Sequence, residues 1–298
     1  MDEVSGAFTA VINPAAGGNE GAAALLPVAK ELRAAGADVE TEYSRGLDHA
    51  RELARRAAAD GRVVLGVGGD GMAGCVGGAL AGTDGVCGFV PAGRGNDFAR
   101  ALGLPAGDPQ ALARLLLSGS PRRVDAIEVT SAVHDRVAVL GSVYAGVDAV
   151  ANRNANQSRL LRGAASYYMG ALRAVLTWRP AHYRLTVDGE ELERRGYTVV
   201  VANSAYYGFN RKVAPDAKVD DGVLDVIVIR HAPRRLFFAV MNELKDGSHV
   251  RRPQVEVLRG REVRIEAERA LPYGADGEVD ATVPVTAKVL PGALRVLA

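Results

Sequence analysis

From residue 7 to 127 the chain alternates short apolar runs with amphipathic stretches, and several runs end in glycine-rich turns. Ala7 to Ile12 reads as a strand ended by Asn13-Pro14, and Gly21 to Ala35 as a helix stopped by Gly36. Asp38 to Tyr43 is a second strand, and Asp48 is placed to cap a helix running to Ala59 before Asp60-Gly61. Arg62 to Val67 and Val86 to Val90 are the next two strands. Alternation of this length predicts a three-layer α/β domain: a parallel sheet with helices on both faces. Such sheets hold ligands at the carboxyl ends of their strands.

The rhythm changes near Val124. Strand signals then dominate: Ala126 to Thr130, Val137 to Tyr144, Tyr183 to Val187, Tyr197 to Ala202, Leu224 to Arg230, Val255 to Leu258 and Val263 to Ala267. Asp188-Gly189 and Asp221-Gly222 punctuate them as turns. This predicts an antiparallel β-sandwich over 125–288, with helical inserts at Ser158 to Trp178 and Pro233 to Lys245. The α/β domain then covers 1–124, and 289–298, with a strand at Ala293 to Leu297, can return to it. A cleft between the two domains is the expected place for a ligand.

Composition narrows the classes. Thirty-six Lys and Arg balance 35 Asp and Glu for a net charge of +1, which argues against nucleic acid as a partner. No apolar run approaches the ~20 residues of a membrane span. The acidic start Met1-Asp2-Glu3 leads into no secretory pattern, so a cytoplasmic location is expected. Cys75 and Cys87 make neither a disulfide framework nor a metal cluster, and the five histidines form no H-x-x-x-H pair.

Within the stretch LGVGGDGMAG, residues 65–74, Gly66-x-Gly68-x-x-Gly71 follows a strand and precedes a helix. That is a phosphate-cradling layout, but a dinucleotide fold also wants an acid about 20 residues on. The segment Gly88 to Ala92 has none. Asp70, moreover, stands inside the loop. At an effective dielectric near 20, a carboxylate ~4 Å from a phosphate charge is repelled by ~4 kcal/mol. Such an acid belongs beside phosphates when a cation lies between them, and Mg²⁺ takes both kinds of oxygen. The alternative is a turn in which Asp70 caps the following helix. Two more turns favour the cation reading: Asn13 to Gly18 after the first strand, and Pro91 to Asp97 after Val86–Val90. No Walker motif occurs.

Asn13-Pro14-x-x-Gly17, Gly68-Gly69-Asp70-Gly71 and Pro91-x-Gly93-x-Gly95-Asn96-Asp97-Phe98-Ala99-Arg100 resemble the diacylglycerol kinase catalytic family, the soluble bacterial lipid kinases related to sphingosine kinases and NAD kinases. Asn203-Ser204-x-x-Tyr207-Gly208, the run Ala214 to Asp225, and Asp276-Gly277-Glu278 continue the resemblance in family order. It implies an ATP- and Mg²⁺-dependent lipid kinase. ATP would lie on Asn13, Pro14, Ala15, Ala16 and Gly17, on Ser44, on Gly68, Gly69, Asp70, Gly71 and Met72, and on Arg94, Gly95, Asn96 and Asp97. Asp70 would face Mg²⁺, and Glu278 would accept the proton of the lipid hydroxyl. The resemblance implies a second, structural Mg²⁺ on the Asp221 carboxylate and the Lys218 and Val223 carbonyls. Four of these places read differently from the residues alone. Ser44 also suits a strand-end turn, Asp97 a helix cap, and Asp276-Gly277 a hairpin tip. Asp221 also suits a plain Asp-Gly turn, with Asp220 and Asp225 compensated by nearby arginines.

The chain departs from the family pattern at Met72, where a hydroxyl is usual, at Gly74-Cys75, where a polar pair is usual, and at Arg94, where a small or hydroxyl residue is usual. Met72 cannot donate a hydrogen bond to phosphate, whereas Arg94 can. A kinase of another alcohol, sphingoid or NAD-like, and a silent lipid- or nucleotide-binding protein are the alternatives. Arg153, Arg159, Arg162, Arg173, Arg179 and Arg184 lie in a stretch without acids that also holds Tyr167, Tyr168, Met169 and Trp178. Arginine beside aromatics suits a membrane interface, as does Arg234-Arg235 before Leu236-Phe237-Phe238. The resemblance also allows a homodimer.

Overall fold

The computed structural model describes residues 6–14, 19–157, 174, 177–208, 210–276 and 278–298. Its first half runs β1 (Ala7–Ile12), α1 (Glu20–Ala34), β2 (Asp38–Tyr43), α2 (Leu47–Ala59), β3 (Val63–Gly68), α3 (Asp70–Leu80), β4 (Val86–Pro91), α4 (Asp97–Ala101) and α5 (Pro109–Ser118). The four strands are parallel in the order β2-β1-β3-β4. The inner strands are buried on both faces, which is why they read as continuous apolar runs. Phe8, Ile12, Leu65 and Val67 pack with α1 and α5, while Val11, Val64 and Phe89 pack with α2, α3 and α4. The helices after β1 and β3 thus leave to opposite faces, and a crevice opens between the carboxyl ends of these neighbouring strands.

The second half runs β5 (Arg122–Ser131), β6 (Val137–Val139), β7 (Ser142–Gly146), α6 (Val147–Gln157), β8 (Ala181–Val187), β9 (Glu190–Ala202), β10 (Tyr206–Tyr207), β11 (Arg211–Lys212), β12 (Leu224–Arg230), α7 (Phe237–Glu243), β13 (Val255–Gly260), β14 (Glu262–Ala267), β15 (Pro272–Ala275), β16 (Glu278–Thr282) and β17 (Val285–Val296). These strands form a sandwich-like antiparallel domain. β9 pairs with β8 over its first half and with β7 and β12 over its second, so it serves both layers. Val143, Tyr183, Leu185, Val201, Val226, Ile265 and Val285 share the core between them. β17 pairs antiparallel with β5 and β14, and its last residues, Arg295 and Val296, pair in parallel with Val86 and Cys87 of β4.

Several expectations need correction. Asp48 does not cap α2: Gly46 precedes the helix, and Asp48 sits in its first turn with an oxygen 2.6 Å from Arg51 Nη1. The strand expected over Val137 to Tyr144 breaks at Leu140-Gly141. β15, β16 and the first two thirds of β17 were not foreseen, because Pro272, Gly274, Pro284, Pro291 and Gly292 interrupt their pattern. Of the insert expected at Ser158 to Trp178, residues 158–173 and 175–176 lie outside the described residues. Among the described residues no helix is long and apolar enough to cross a membrane.

Candidate active site

Two of the glycine turns pack backbone to backbone. A β-carbon on Gly93 would lie 2.3 Å from the Gly69 Cα, so neither turn tolerates a side chain there. The Ala92 N–H donates to the Gly68 carbonyl at 2.8 Å. Gly68 adopts φ 155, in the region that favours glycine. The Asn96 side chain closes its own turn: Oδ1 accepts from the Gly93 N–H at 2.9 Å and Nδ2 donates to the Gly93 carbonyl at 2.8 Å. Asn96 is therefore a brace of the turn rather than a free nucleotide contact. Met72 is buried in the core with Phe89 and Phe98, and its N–H donates to the Gly69 carbonyl.

Asp70 opens α3 but does not cap it; Gly69 does so without a side-chain bond. Instead Asp70 Oδ1 accepts from the N–H of Phe98 at 3.0 Å, at the start of α4. The other oxygen points toward Gly95, where a β-carbon would come within 2.6 Å of it. Asp97 is buried, and its Oδ1 accepts from Arg100 Nη1 at 2.9 Å and from the Asn210 N–H at 2.8 Å. It ties the first half to the β10–β11 hairpin of the second and does not cap α4. Ser44 joins the crevice through its N–H, which donates to the Ile12 carbonyl at 2.8 Å. Its hydroxyl is buried with no partner among the described residues. Asn13 and Pro14 end β1 as expected; Ala15, Ala16 and Gly17 lie outside the described residues.

Asp276 does more than form a hairpin tip. It stands at a left-handed φ of 45, at the tip of the β15–β16 hairpin in which Ala275 faces Glu278. Its carboxylate accepts three successive backbone N–H groups, from Leu140 at 2.7 Å, Gly141 at 2.8 Å and Ser142 at 3.0 Å. That nest is what breaks the strand between β6 and β7. Burial pushes the Asp276 carboxyl above its ordinary range, the three N–H groups pull it down, and the Asp70 charge pushes it up again. Gly74 of α3 lies against it: a β-carbon there would be 3.0 Å from Asp276 Oδ2. The departure at Gly74 thus has a packing reason. Glu278 begins β16, two residues on; its side chain lies outside the described residues.

Two clefts meet at Gly74 and Asp276. One, of about 190 Å³, is lined by Phe98, Leu140, Tyr144, Tyr206 and Tyr207 together with Asp70 and Arg94. The other, of about 730 Å³, is lined by Arg51, Arg55, His134 and Arg136 with Leu47 and Cys75. Aromatic walls suit an apolar guest and arginines suit an anion. Asp70, with one oxygen on α4 and one beside the cleft, fits a hydrated Mg²⁺ that takes its remaining ligands from phosphate and water. Among the described residues no three metal-ligating side chains cluster.

The second metal set does not fit. Asp221 Oδ2 is 2.5 Å from Arg259 Nη2, and its Oδ1 accepts from the Val223 N–H at 3.2 Å. Lys218 and Val223 flank this pair in one loop, whose Gly222 N–H donates to Asp125 Oδ2 at 2.7 Å.

This fold, an α/β crevice facing a sandwich across an acid-lined cleft, is that of a lipid-kinase-type phosphotransferase. Residues 7–129 match the diacylglycerol kinase catalytic domain, and residues 141–298 the YegS C-terminal NAD kinase beta sandwich-like domain. The chain belongs to the diacylglycerol kinase family. It is 31% identical to a diacylglycerol kinase of Mycobacterium tuberculosis (strain CDC 1551 / Oshkosh), over 98% of this chain and 95% of that protein. It is 33% identical to a probable lipid kinase YegS-like of Chromohalobacter salexigens, over 92% and 89% of the two chains. A crystal structure of a diacylglycerol kinase from Bacillus anthracis str. Sterne shares the fold, with a TM-score of 0.74, 20% identity, and 100% and 98% of the chains covered.

Proposed function

We propose that the chain transfers the γ-phosphate of ATP to the hydroxyl of a diacylglycerol-like lipid, with Mg²⁺ as cofactor. The observation that carries this reading is the pair of clefts, one with aromatic walls and one holding three arginines with Asp48, that meet at Gly74 and Asp276. In this reading residues 1–124 hold the nucleotide, residues 125–288 hold the lipid, and 289–298 rejoin the first unit.

Bound at Asp70, Mg²⁺ would neutralise the repulsion between that carboxylate and phosphate oxygens. The chain's own groups do the rest. Ser44 and the turn amides around Gly69 to Gly71 position the nucleotide. Arg94, which lines the smaller cleft, supplies N–H donors that Met72 does not. Glu278 accepts the hydroxyl proton, held near the clefts by the hairpin that Asp276 anchors. Tyr144, whose hydroxyl accepts from Asn152 Nδ2 at 2.7 Å, floors the lipid side.

The acceptor lives in a bilayer, so the protein is read as cytoplasmic and transiently peripheral at the inner membrane face. The exposed Phe238, three residues after Arg235 in the chain, supports one contact point. Assembly as a homodimer belongs to the same proposal and rests on the resemblance.

The test supplies labelled ATP, Mg²⁺ and mixed micelles of diacylglycerol, with a sphingoid base and NAD as separate acceptors. Label is expected in diacylglycerol, and Asp70→Asn and Glu278→Gln should each lower transfer by ~100-fold or more. Label in another acceptor moves the chain to a different alcohol kinase. Binding of ATP and lipid with no transfer makes it a silent binder.

A further inference from the structure

Loop 218–223 lies where the two halves are joined. Asp125, buried on β5, accepts the Gly222 N–H through Oδ2 and the Gly292 N–H of the β17 bend through Oδ1, both at 2.7 Å. Its own N–H donates to the Val219 carbonyl at 2.6 Å. β5 and β17 are the strands that pass between the two halves, so whatever holds this loop also holds their junction. The loop is acidic: Asp216, Asp220, Asp221 and Asp225 lie within ten residues, with Lys218 the one cation among them.

Across the sheet, Arg259 of β13 is the direct partner of Asp225 on β12. Its Nε is 3.5 Å from Asp225 Oδ1 while its Nη2 reaches Asp221 Oδ2 at 2.5 Å. One guanidinium therefore bridges two carboxylates, a task that its planar fork of donors suits and that a lysine ammonium suits less well. A divalent ion at Asp221 would meet this fixed positive charge at contact distance. It would also find one carboxylate oxygen given to Arg259 and the other to the Val223 N–H, and the Val219 carbonyl given to Asp125. An ion there would have to displace Arg259 from Asp221 before that carboxylate could enter its near-octahedral shell.

We propose that Arg259 is the built-in cation of this loop, standing where the resemblance implies a structural Mg²⁺, so that the junction between the halves holds without metal. The inference stands on the Asp221–Arg259–Asp225 geometry and is independent of the kinase reading. It predicts a chain whose free form gains nothing from divalent ions at Asp221.

The test is thermal unfolding of the nucleotide-free full chain in EDTA and in excess MgCl₂ or CaCl₂. Wild type should melt at the same temperature in all three. Arg259→Ala should melt several degrees lower in EDTA, and divalent ions should restore it in a saturable way, because the bared carboxylates then attract them. Arg259→Ala combined with Asp221→Asn should lose that restoration. A saturable rise in the wild-type melting temperature that Asp221→Asn abolishes would overturn the proposal, as would an Arg259→Ala chain as stable as wild type or blind to metal. Equilibrium dialysis with Mn²⁺ decides the matter if Arg259→Ala does not fold. Wild type and Asp221→Asn should then bind equal Mn²⁺, and one ion fewer in Asp221→Asn sinks the idea.

Discussion

Asp148 gives the clearest behaviour of a single residue. Thr198 has one hydroxyl hydrogen, and the Ala145 carbonyl stands 3.0 Å from its oxygen. The same hydroxyl can instead donate to Asp148 Oδ2 at 3.2 Å, a bond that favours the charged acid. Burial outweighs that bond and pushes the Asp148 carboxyl from 3.8 up to about 6. The folded chain thus binds the extra proton between these two values, so this group's contribution to stability is full below the lower value and lost as pH rises through the upper. Urea unfolding across that window should show wild type losing stability relative to Asp148→Asn as pH rises; a constant difference would refute the assignment. The sequence marked Asp70 through the cost of a carboxylate beside phosphate, but nothing in it announced Phe98 as the partner. That contact depends on how α3 and α4 are set side by side.

Helix α3 shows what an element demands. Gly77 and Gly78 weaken it by intrinsic propensity, and replacing an interior helical glycine with alanine ordinarily gains up to ~1 kcal/mol. Here a β-carbon on Gly78 would lie 2.4 Å from the Ala138 carbonyl oxygen, a backbone atom that cannot step aside alone. Gly78→Ala should therefore destabilise by ~1–3 kcal/mol in denaturant titration, the opposite sign. Helix α5 behaves ordinarily. Asp108 accepts the Ala111 N–H at 2.9 Å and Pro109 opens the helix, so Asp108→Ala should cost ~1 kcal/mol by the same measurement. The cap of α5 is visible in Asp108-Pro109; the need for Gly78 is not, because Ala138 lies sixty residues on.

Across the whole molecule, the two halves are held by strands and by buried polar groups. Asn203 is fully buried and donates to the carbonyls of Asp125 at 3.0 Å and Leu140 at 2.9 Å. Asp125→Ala would strand the Gly222 and Gly292 N–H groups, each at a cost of ~1–3 kcal/mol. Guanidinium unfolding should show a midpoint lowered accordingly, and a loss below 1 kcal/mol would mean that water replaces the carboxylate. Strands β1, β3 and β4 were readable because burial on both faces leaves an unbroken apolar run. The break between β6 and β7 was not, since its cause, Asp276, is 134 or more residues away.

Local chemistry determined, from the residues alone, the alternating first half, the β-rich second half and the three glycine turns. Turn geometry and strand burial act within a few neighbours, so they leave their marks in short stretches of chain. Tertiary structure alone decided the carboxylates' partners: Asp70 with α4, Asp97 with the β10–β11 hairpin, Asp221 with Arg259, and Asp276 with the Leu140 turn. A charge takes its partner by distance in space, and strand register and the docking of the halves set that distance.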